Sequence, residues 1–187
     1  DNSFVTVDFG GVAPGSYTLQ VTPENEGVSA TCPGTLYTSG AFDVIDPATS
    51  TIISETWIGG VSTDWWTADN WSTQYLKGGI PTAANCTPSC GMDVIISSFV
   101  NDPTCSGTPE VGSITINGGS NMSMAAGADM EVCSGNFVNN GGVTADQNST
   151  VRFIGTAGTQ QISGVAGANR LGAVIADGSS TVQLASN

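Results

Sequence analysis

The stretch that decides the fold reads Trp57-Ile58-Gly59-Gly60, then Ser62-Thr63-Asp64-Trp65-Trp66, and then Asp69-Asn70-Trp71-Ser72. All four tryptophans of the chain lie within these fifteen residues, and short Thr-, Val- and Ile-rich segments separated by Gly and Asn follow them. One buried Trp side chain removes about 150–250 Å² from water, so several together can form a small core. The sequence therefore predicts a compact aromatic cap, residues 57–110, on a repetitive β structure.

The composition restricts the classes of function that the chain can have. Sixteen acidic residues stand against three basic ones, so the formal net charge is −13, and there is no histidine. Three dispersed cations cannot neutralise a row of phosphates, which argues against binding to nucleic acid or to anionic membranes. The lack of histidine excludes Ser-His-Asp and Cys-His catalysis. No run of about 18 apolar residues is present, so we expect no insertion into a membrane.

From Val111 onward, short strand-like segments recur with Gly-, Asn- and Ala-rich turns between them. Segments such as Ser113–Asn117, Asp129–Cys133 and Thr150–Ile154 alternate apolar and polar side chains with a period of two, which is typical of strands. Each segment is too short to bury a core alone, so two or three strands per turn must stack on neighbouring turns. Residues 111–187 are therefore predicted to form a β-solenoid within an all-β chain.

Residues 1–47 have a different pattern. Strand-like alternation at 3–9, 17–21 and 41–45 is combined with an Ala-Pro-Gly turn, and Tyr17 stands where immunoglobulin-like sandwiches often carry a tyrosine corner. A complete sandwich takes about 100 residues, so we expect 1–47 to be the C-terminal part of one, followed by a linker, residues 48–56. We therefore expect both ends of the chain to be cuts inside a longer polypeptide.

Five cysteines and few charges indicate disulfides formed in an oxidising, extracellular compartment. The spacing favours Cys86–Cys90 across a Thr-Pro-Ser turn and Cys105–Cys133 between a loop and a strand, although the sequence alone leaves the connectivity open. Cys32 would then need a partner upstream of the chain.

Trp65, Trp66 and Trp71 are candidates for a sugar-binding platform. Aromatic faces suit the apolar faces of sugar rings, and adjacent residues such as Trp65 and Trp66 point to opposite sides if the chain is extended. The simpler role for these side chains is to fill the core of the cap.

Asp64, Asp69, Asn70 and Asp93 are candidates for a calcium site, because carboxylate and amide oxygens are the ligands that Ca²⁺ prefers. The alternative role for them is to cap turns and keep the surface soluble. Paired carboxylates such as Asp129 and Glu131 could serve glycoside hydrolysis. Any solvated pair has the same pattern, however, so we predict that the chain is not an enzyme.

The ordered series of motifs in residues 57–187 resembles modules of large Bacteroidota surface proteins. The segments that carry the resemblance include Trp57-Ile58-Gly59, Asn70-Trp71-Ser72, Asp93-Val94-Ile95-Ile96, Gly112-Ser113-Ile114-Thr115-Ile116, Ser134-Gly135-Asn136-Phe137, Val151-Arg152-Phe153-Ile154-Gly155 and Gln160-Gln161-Ile162-Ser163-Gly164. Such proteins are exported by the type IX secretion system and include gliding-motility adhesins and repetitive filament proteins. The sorting domain of that family is not found in these residues. The O-glycosylation signal common in the phylum is also missing, because no Asp is directly followed by Ser or Thr.

The resemblance implies a structural stalk or filament segment of a secreted cell-surface adhesin, without enzymatic activity. Its partners would be the type IX secretion machinery and other outer-membrane surface proteins, with self-assembly or surface glycans as further candidates. The alternative prediction is a carbohydrate-binding adhesin module that uses exposed Trp side chains. No cofactor is expected beyond the calcium ion considered above.

Overall fold

A computed structural model describes residues 13, 15–18, 20–21, 37–38, 42–44, 52–77, 80–97, 100–165, 169–178 and 181–185. By its internal contacts the chain divides into two units, Asp1–Asp46 and Pro47–Asn187. The described residues form β-strands and turns, with one short 3₁₀ helix at Ala68–Asn70. None of the described residues forms a helix long and apolar enough to cross a bilayer.

The first unit contains two short antiparallel strand pairs. Strand β1 (Gly15–Tyr17) pairs with β4 (Phe42–Val44), and β2 (Gln20–Val21) pairs with β3 (Tyr37–Thr38). The hydroxyl of Tyr17 donates a hydrogen bond to the backbone carbonyl of Ala13, 2.6 Å away and four residues upstream. The predicted strand at 3–9 and Cys32 lie outside the described residues.

The second unit is a β-solenoid of about four turns with three strands per turn, which confirms the predicted solenoid. Three parallel sheets form its faces. The parallel part of sheet I contains β8 (Asp93–Ile96), β11 (Ser113–Ile116), β14 (Phe137–Asn139), β17 (Thr159–Gly164) and β20 (Thr181–Leu184). Sheet II contains β9 (Thr104–Cys105), β12 (Asn121–Met124), β15 (Gly142–Ala145) and β18 (Asn169–Arg170). Sheet III contains β10 (Glu110–Val111), β13 (Asp129–Val132), β16 (Thr150–Phe153) and β19 (Ala173–Ala176).

Three more strands extend sheet I beyond its first turn. Strand β5 (Ile52–Trp57) pairs in parallel with β8, β6 (Trp71–Lys77) pairs antiparallel with β5, and β7 (Ile80–Ala84) pairs antiparallel with β6. The hairpin of β6 and β7 and the short strands β9 and β10 were not predicted from the sequence. The first complete turn, β8 to β10, begins inside the range 57–110 that was predicted as the cap and ends one residue beyond it, at Val111.

Inward side chains stack in columns from one turn to the next. On sheet I, Val94, Ile114, Phe137 and Ile162 lie in register, so successive turns are 20, 23 and 25 residues apart. These four side chains are at most 6 % exposed. Because strand residues alternate between two faces, the residues between them point to solvent or to the turns. The core of the solenoid is therefore shared between turns, and no turn has a core of its own.

Gly164 marks a place where two turns approach closely. Its φ of +131° is in the region that favours glycine, and it lies in register with Asn139 of the preceding turn. A Cβ atom at this position would overlap the carbonyl oxygen of Asn139. The short turn after β17 therefore depends on glycine at this position.

Candidate functional site

Three of the four tryptophans form the buried centre of the cap. The ring of Trp71 lies edge-to-face against Trp57, with centroids 4.9 Å apart, and against Trp65, with centroids 4.7 Å apart. Strands β5 and β6 bring Trp57 and Trp71 together because they pair in register at these residues. All three side chains are fully buried. Trp65 and Trp71, two of the three predicted stacking residues, therefore offer no face to a ligand.

Asn70 shapes the loop that precedes the 3₁₀ helix. Its side-chain oxygen accepts hydrogen bonds from the backbone N–H groups of Val61 and Ser62, both at 2.9 Å. Its amide nitrogen donates to the Ser62 hydroxyl at 2.8 Å and to the carbonyl of Asp64 at 2.9 Å. The side chain is fully buried and every polar atom in it is bonded. A residue predicted as a calcium ligand therefore already has a complete set of protein partners.

Trp66 points outward and is 43 % exposed. Its indole N–H donates to the backbone carbonyl of Ser106 at 2.9 Å, and its backbone N–H donates to Asp64 Oδ1 at 3.2 Å. The chain turns at residues 65 and 66, so that the first indole enters the core and the second faces solvent. Of the three predicted stacking residues, Trp66 is the one that a ligand can reach.

The carboxylates predicted as calcium ligands each accept a hydrogen bond from a nearby polar side chain: Asp64 from Thr67 at 3.0 Å, Asp69 from Asn85 at 3.2 Å, and Asp93 from Ser113 at 2.7 Å. Among the residues that the structure describes, no three His, Cys, Asp or Glu side chains are grouped so that they could hold one metal ion. Calcium binding at these residues stays a prediction.

The cysteine pairing differs from the prediction. Cys90 forms a disulfide with Cys133, and their Cα atoms are 5.3 Å apart. Cys105 is a free thiol that is fully buried, because the alternation of β9 turns it into the core. Cys86 is also free and half-buried, and its backbone N–H donates to the Thr73 hydroxyl at 3.1 Å. The predicted pairings Cys86–Cys90 and Cys105–Cys133 are therefore wrong.

Glu55 is a buried acidic residue that was not among the predicted site residues. It lies in register with Val94 on sheet I and opposite Thr73 of β6, and it is fully buried. No described residue forms a hydrogen bond of good geometry with either carboxyl oxygen, although the Thr73 hydroxyl lies close enough to act on the group. Burial raises the pKa of Glu55 to about 7, and the neighbouring Thr73 hydroxyl offsets part of that rise. The burial of Glu55 could have been predicted from the alternation of β5, which places Glu55 on the same face as Trp57.

Asp129 and Glu131, the carboxylates considered for hydrolysis, lie on the outer face of sheet III. Arg152 donates from Nη2 to Asp129 at 2.7 Å and from Nη1 to Asp177 at 2.8 Å. These ion pairs join consecutive turns, because Asp129 is on β13 and Arg152 is on β16. The ion pairs therefore link turns on the surface of the solenoid, and Asp129 is the one of the two carboxylates that takes part.

A search of protein-family models, of curated proteins and of solved structures finds no match to this chain.

Proposed function

We propose that the chain is a structural segment of a large secreted surface protein, a stalk or filament element that holds adhesive parts away from the cell. The observation that supports this role is the set of columns, such as Val94, Ile114, Phe137 and Ile162, which run through consecutive turns. Each turn is stabilised by the turns beside it, so a force along the solenoid is distributed over many backbone hydrogen bonds. An element of this kind works by resisting extension.

The Trp cap supports the same role. A solenoid end exposes unpaired strand edges and apolar side chains, which invite association with other chains. Here Trp57, Trp65 and Trp71 close the end that precedes β8, and the disulfide of Cys90 with Cys133 fastens the segment after β7 to sheet III. The N-terminal end of the solenoid is therefore protected against fraying and against aggregation.

The first unit is proposed to be part of an immunoglobulin-like sandwich. Its antiparallel strand pairs and the hydrogen bond from Tyr17 to the carbonyl of Ala13 support this, because a tyrosine corner bonds to the backbone a few residues upstream. The cell-surface location, export by the type IX secretion system and partners among outer-membrane surface proteins are proposed on the sequence resemblance. The same resemblance supports a role without catalysis.

The mass and location of the native polypeptide test this proposal. We expect an antibody raised against residues 47–187 to label intact cells and to detect, without reduction, a polypeptide far larger than 18.9 kDa. An antibody to a cytoplasmic protein, which should label only lysed cells, is the control. A native product near 18.9 kDa, or labelling only after lysis, would contradict the role as a segment of a surface protein.

Glycan binding is a second candidate function, and one observation favours it. Trp66 is exposed although the other three indoles are buried, and a hydrogen bond fixes its orientation. An adhesin module of this kind would contact surface glycans through the cap.

A further inference from the structure

Trp66 is an aromatic side chain that the fold holds in place and leaves uncovered. Its Nε1–H donates to the carbonyl oxygen of Ser106 at 2.9 Å, across 40 residues of sequence. A side chain that is already fixed loses little conformational entropy when a ligand binds. Exposing 43 % of an indole is unfavourable in water, so a partner that covers the ring gains apolar contact.

The segment next to Trp66 in the fold, residues 106–108, leaves room beside the indole. Gly107 lies against its edge, since a Cβ atom built there would be 3.9 Å from Cζ2 and Nε1 of Trp66. The φ of Gly107 is +65°, which disfavours any larger residue at that position. Ser106, Gly107 and Thr108 are all exposed. No bulky side chain of this segment therefore covers the ring.

A column of polar side chains begins beside Trp66 and continues along the outer face of sheet II. Asp64 forms a bridge with Thr104, Thr104 lies in register with Ser123, and Ser123 lies in register with Thr144. All four side chains are exposed or half-exposed. Neighbouring parallel strands are about 4.8 Å apart, so hydroxyl groups recur at a spacing close to that of sugar units in an extended chain.

We propose that Trp66 and this column form a binding site for a neutral, β-linked glycan. One pyranose ring with equatorial hydroxyl groups places its flat apolar face on the indole of Trp66. The following sugar units donate and accept hydrogen bonds along Asp64, Thr104, Ser123 and Thr144. The net charge of −13 disfavours uronic acids and sulfated sugars. Arg170, in register with Thr144, lies at the end of the column away from Trp66. We therefore assign an uncharged ligand to the indole and the column. The inference rests on the glycan-binding candidate and is independent of the mechanical role.

Isothermal titration calorimetry of the whole chain tests the site. Calorimetry is required because Trp66→Ala removes the fluorophore that would otherwise report binding. The probes are cellobiose, cellotetraose, chitobiose and chitotetraose, with tetraglucuronate in the same β-1,4 linkage as the charged control. We expect saturable binding of a neutral tetrasaccharide, weakened about tenfold or more by Trp66→Ala and by a smaller factor by Trp66→Phe.

Two further variants test whether the loss of affinity is specific to Trp66 and whether the polar column contributes to binding. Val61→Ala is the matched control, because Val61 is in the same cap, is 60 % exposed, and keeps its backbone bond to Asn70. We expect it to leave affinity unchanged. Thr144→Val, three strands away from Asp64, should weaken the tetrasaccharides severalfold and leave the disaccharides unaffected.

The outcomes test separately the site at Trp66 and glycan binding as a function of the chain. Binding that survives Trp66→Ala would overturn this site but keep glycan binding as a function of the chain. No heat with any of the four neutral probes would overturn both. Tighter binding of the β-1,4-linked tetraglucuronate than of the neutral probes would overturn the assignment of an uncharged ligand. None of these results bears on the mass or the location of the native polypeptide, which test the mechanical role.

Discussion

Trp71 donates its indole N–H to the backbone carbonyl of Trp65 at 2.8 Å, and its ring lies edge-to-face against the Trp65 ring. One side chain thus supplies both a buried hydrogen bond and an aromatic contact, and it also contacts Trp57. Trp71→Ala should lower the free energy of unfolding by about 3–5 kcal/mol, because it leaves a large cavity and an unpaired carbonyl. Urea unfolding measures the loss. Trp66→Ala, at an exposed indole, is the control and should cost less than about 1 kcal/mol.

Glu55 makes the stability of the cap depend on pH. Its pKa is about 7 in the folded chain, raised by burial from an ordinary value of 4.5. Between these two pH values Glu55 stays protonated in the folded state but is ionised in the unfolded state. The free energy of unfolding is therefore highest below about pH 4.5, and it falls as the pH rises through 7. The loss at higher pH is about 3 kcal/mol, since one pKa unit corresponds to about 1.4 kcal/mol.

Glu55→Gln removes the titrating group and tests this dependence. Urea unfolding of both proteins from pH 4 to pH 8.5 should show a fall in the wild-type free energy of unfolding and a flatter profile in the variant. Parallel profiles for the two proteins would mean that the Glu55 carboxyl does not titrate in this range.

The disulfide of Cys90 and Cys133 closes a loop across 43 residues of sequence. A cross-link of this length is worth about 4 kcal/mol through the entropy of the unfolded chain. Cys90→Ser should therefore lower the unfolding midpoint clearly, whereas Cys86→Ser, which changes a free thiol, should have a small effect. Non-reducing digestion with mass spectrometry should recover a peptide pair that contains both cysteines. A pair that contains Cys86 and Cys90 instead would refute the connectivity.

Gly164 and Gly158 separate backbone strain from steric overlap. Both have positive φ, but a Cβ at Gly164 would overlap Asn139, whereas a Cβ at Gly158 would meet nothing within 4 Å. Gly158→Ala should cost about 1–2 kcal/mol from backbone strain alone. Gly164→Ala should cost clearly more, because its φ of +131° lies farther from any conformation that alanine adopts and because the turns must also move apart. Equal losses for the two variants would show that the turns are not packed as closely at Gly164 as described.

The strands of the solenoid could be predicted because the pattern that marks each strand lies within a few consecutive residues. Alternation in segments such as Ser113–Ile116 and Thr150–Phe153 marks which side chains face inward, and the Gly- and Asn-rich turns mark where each strand ends. The strands β9 and β10 were missed because two residues are too few to show a period. The β6–β7 hairpin was missed because Trp71, Thr73 and Tyr75 were interpreted as part of an irregular cap.

The site and the disulfide could be predicted only in part, because they depend on register between distant strands. Cys90 and Cys133 meet because the fold brings the segment before β8 to the end of β13, and spacing along the chain carries no such information. The sequence identified Trp65, Trp66 and Trp71 as a group. Which indole faces solvent was decided by the turn at residues 65 and 66 and by the bond from Trp66 to Ser106.

Single-molecule stretching tests most directly the central claim that the stacked turns resist extension. With handles at the two ends, the solenoid should yield above a distinct force and lengthen in steps of one turn, about 7–9 nm for 20 to 25 residues. Reduction of the disulfide should add about 15 nm to the released length, because the segment from Cys90 to Cys133, a sequence separation of 43, becomes free to extend. Smooth extension without a force threshold, and equal lengths before and after reduction, would contradict the account.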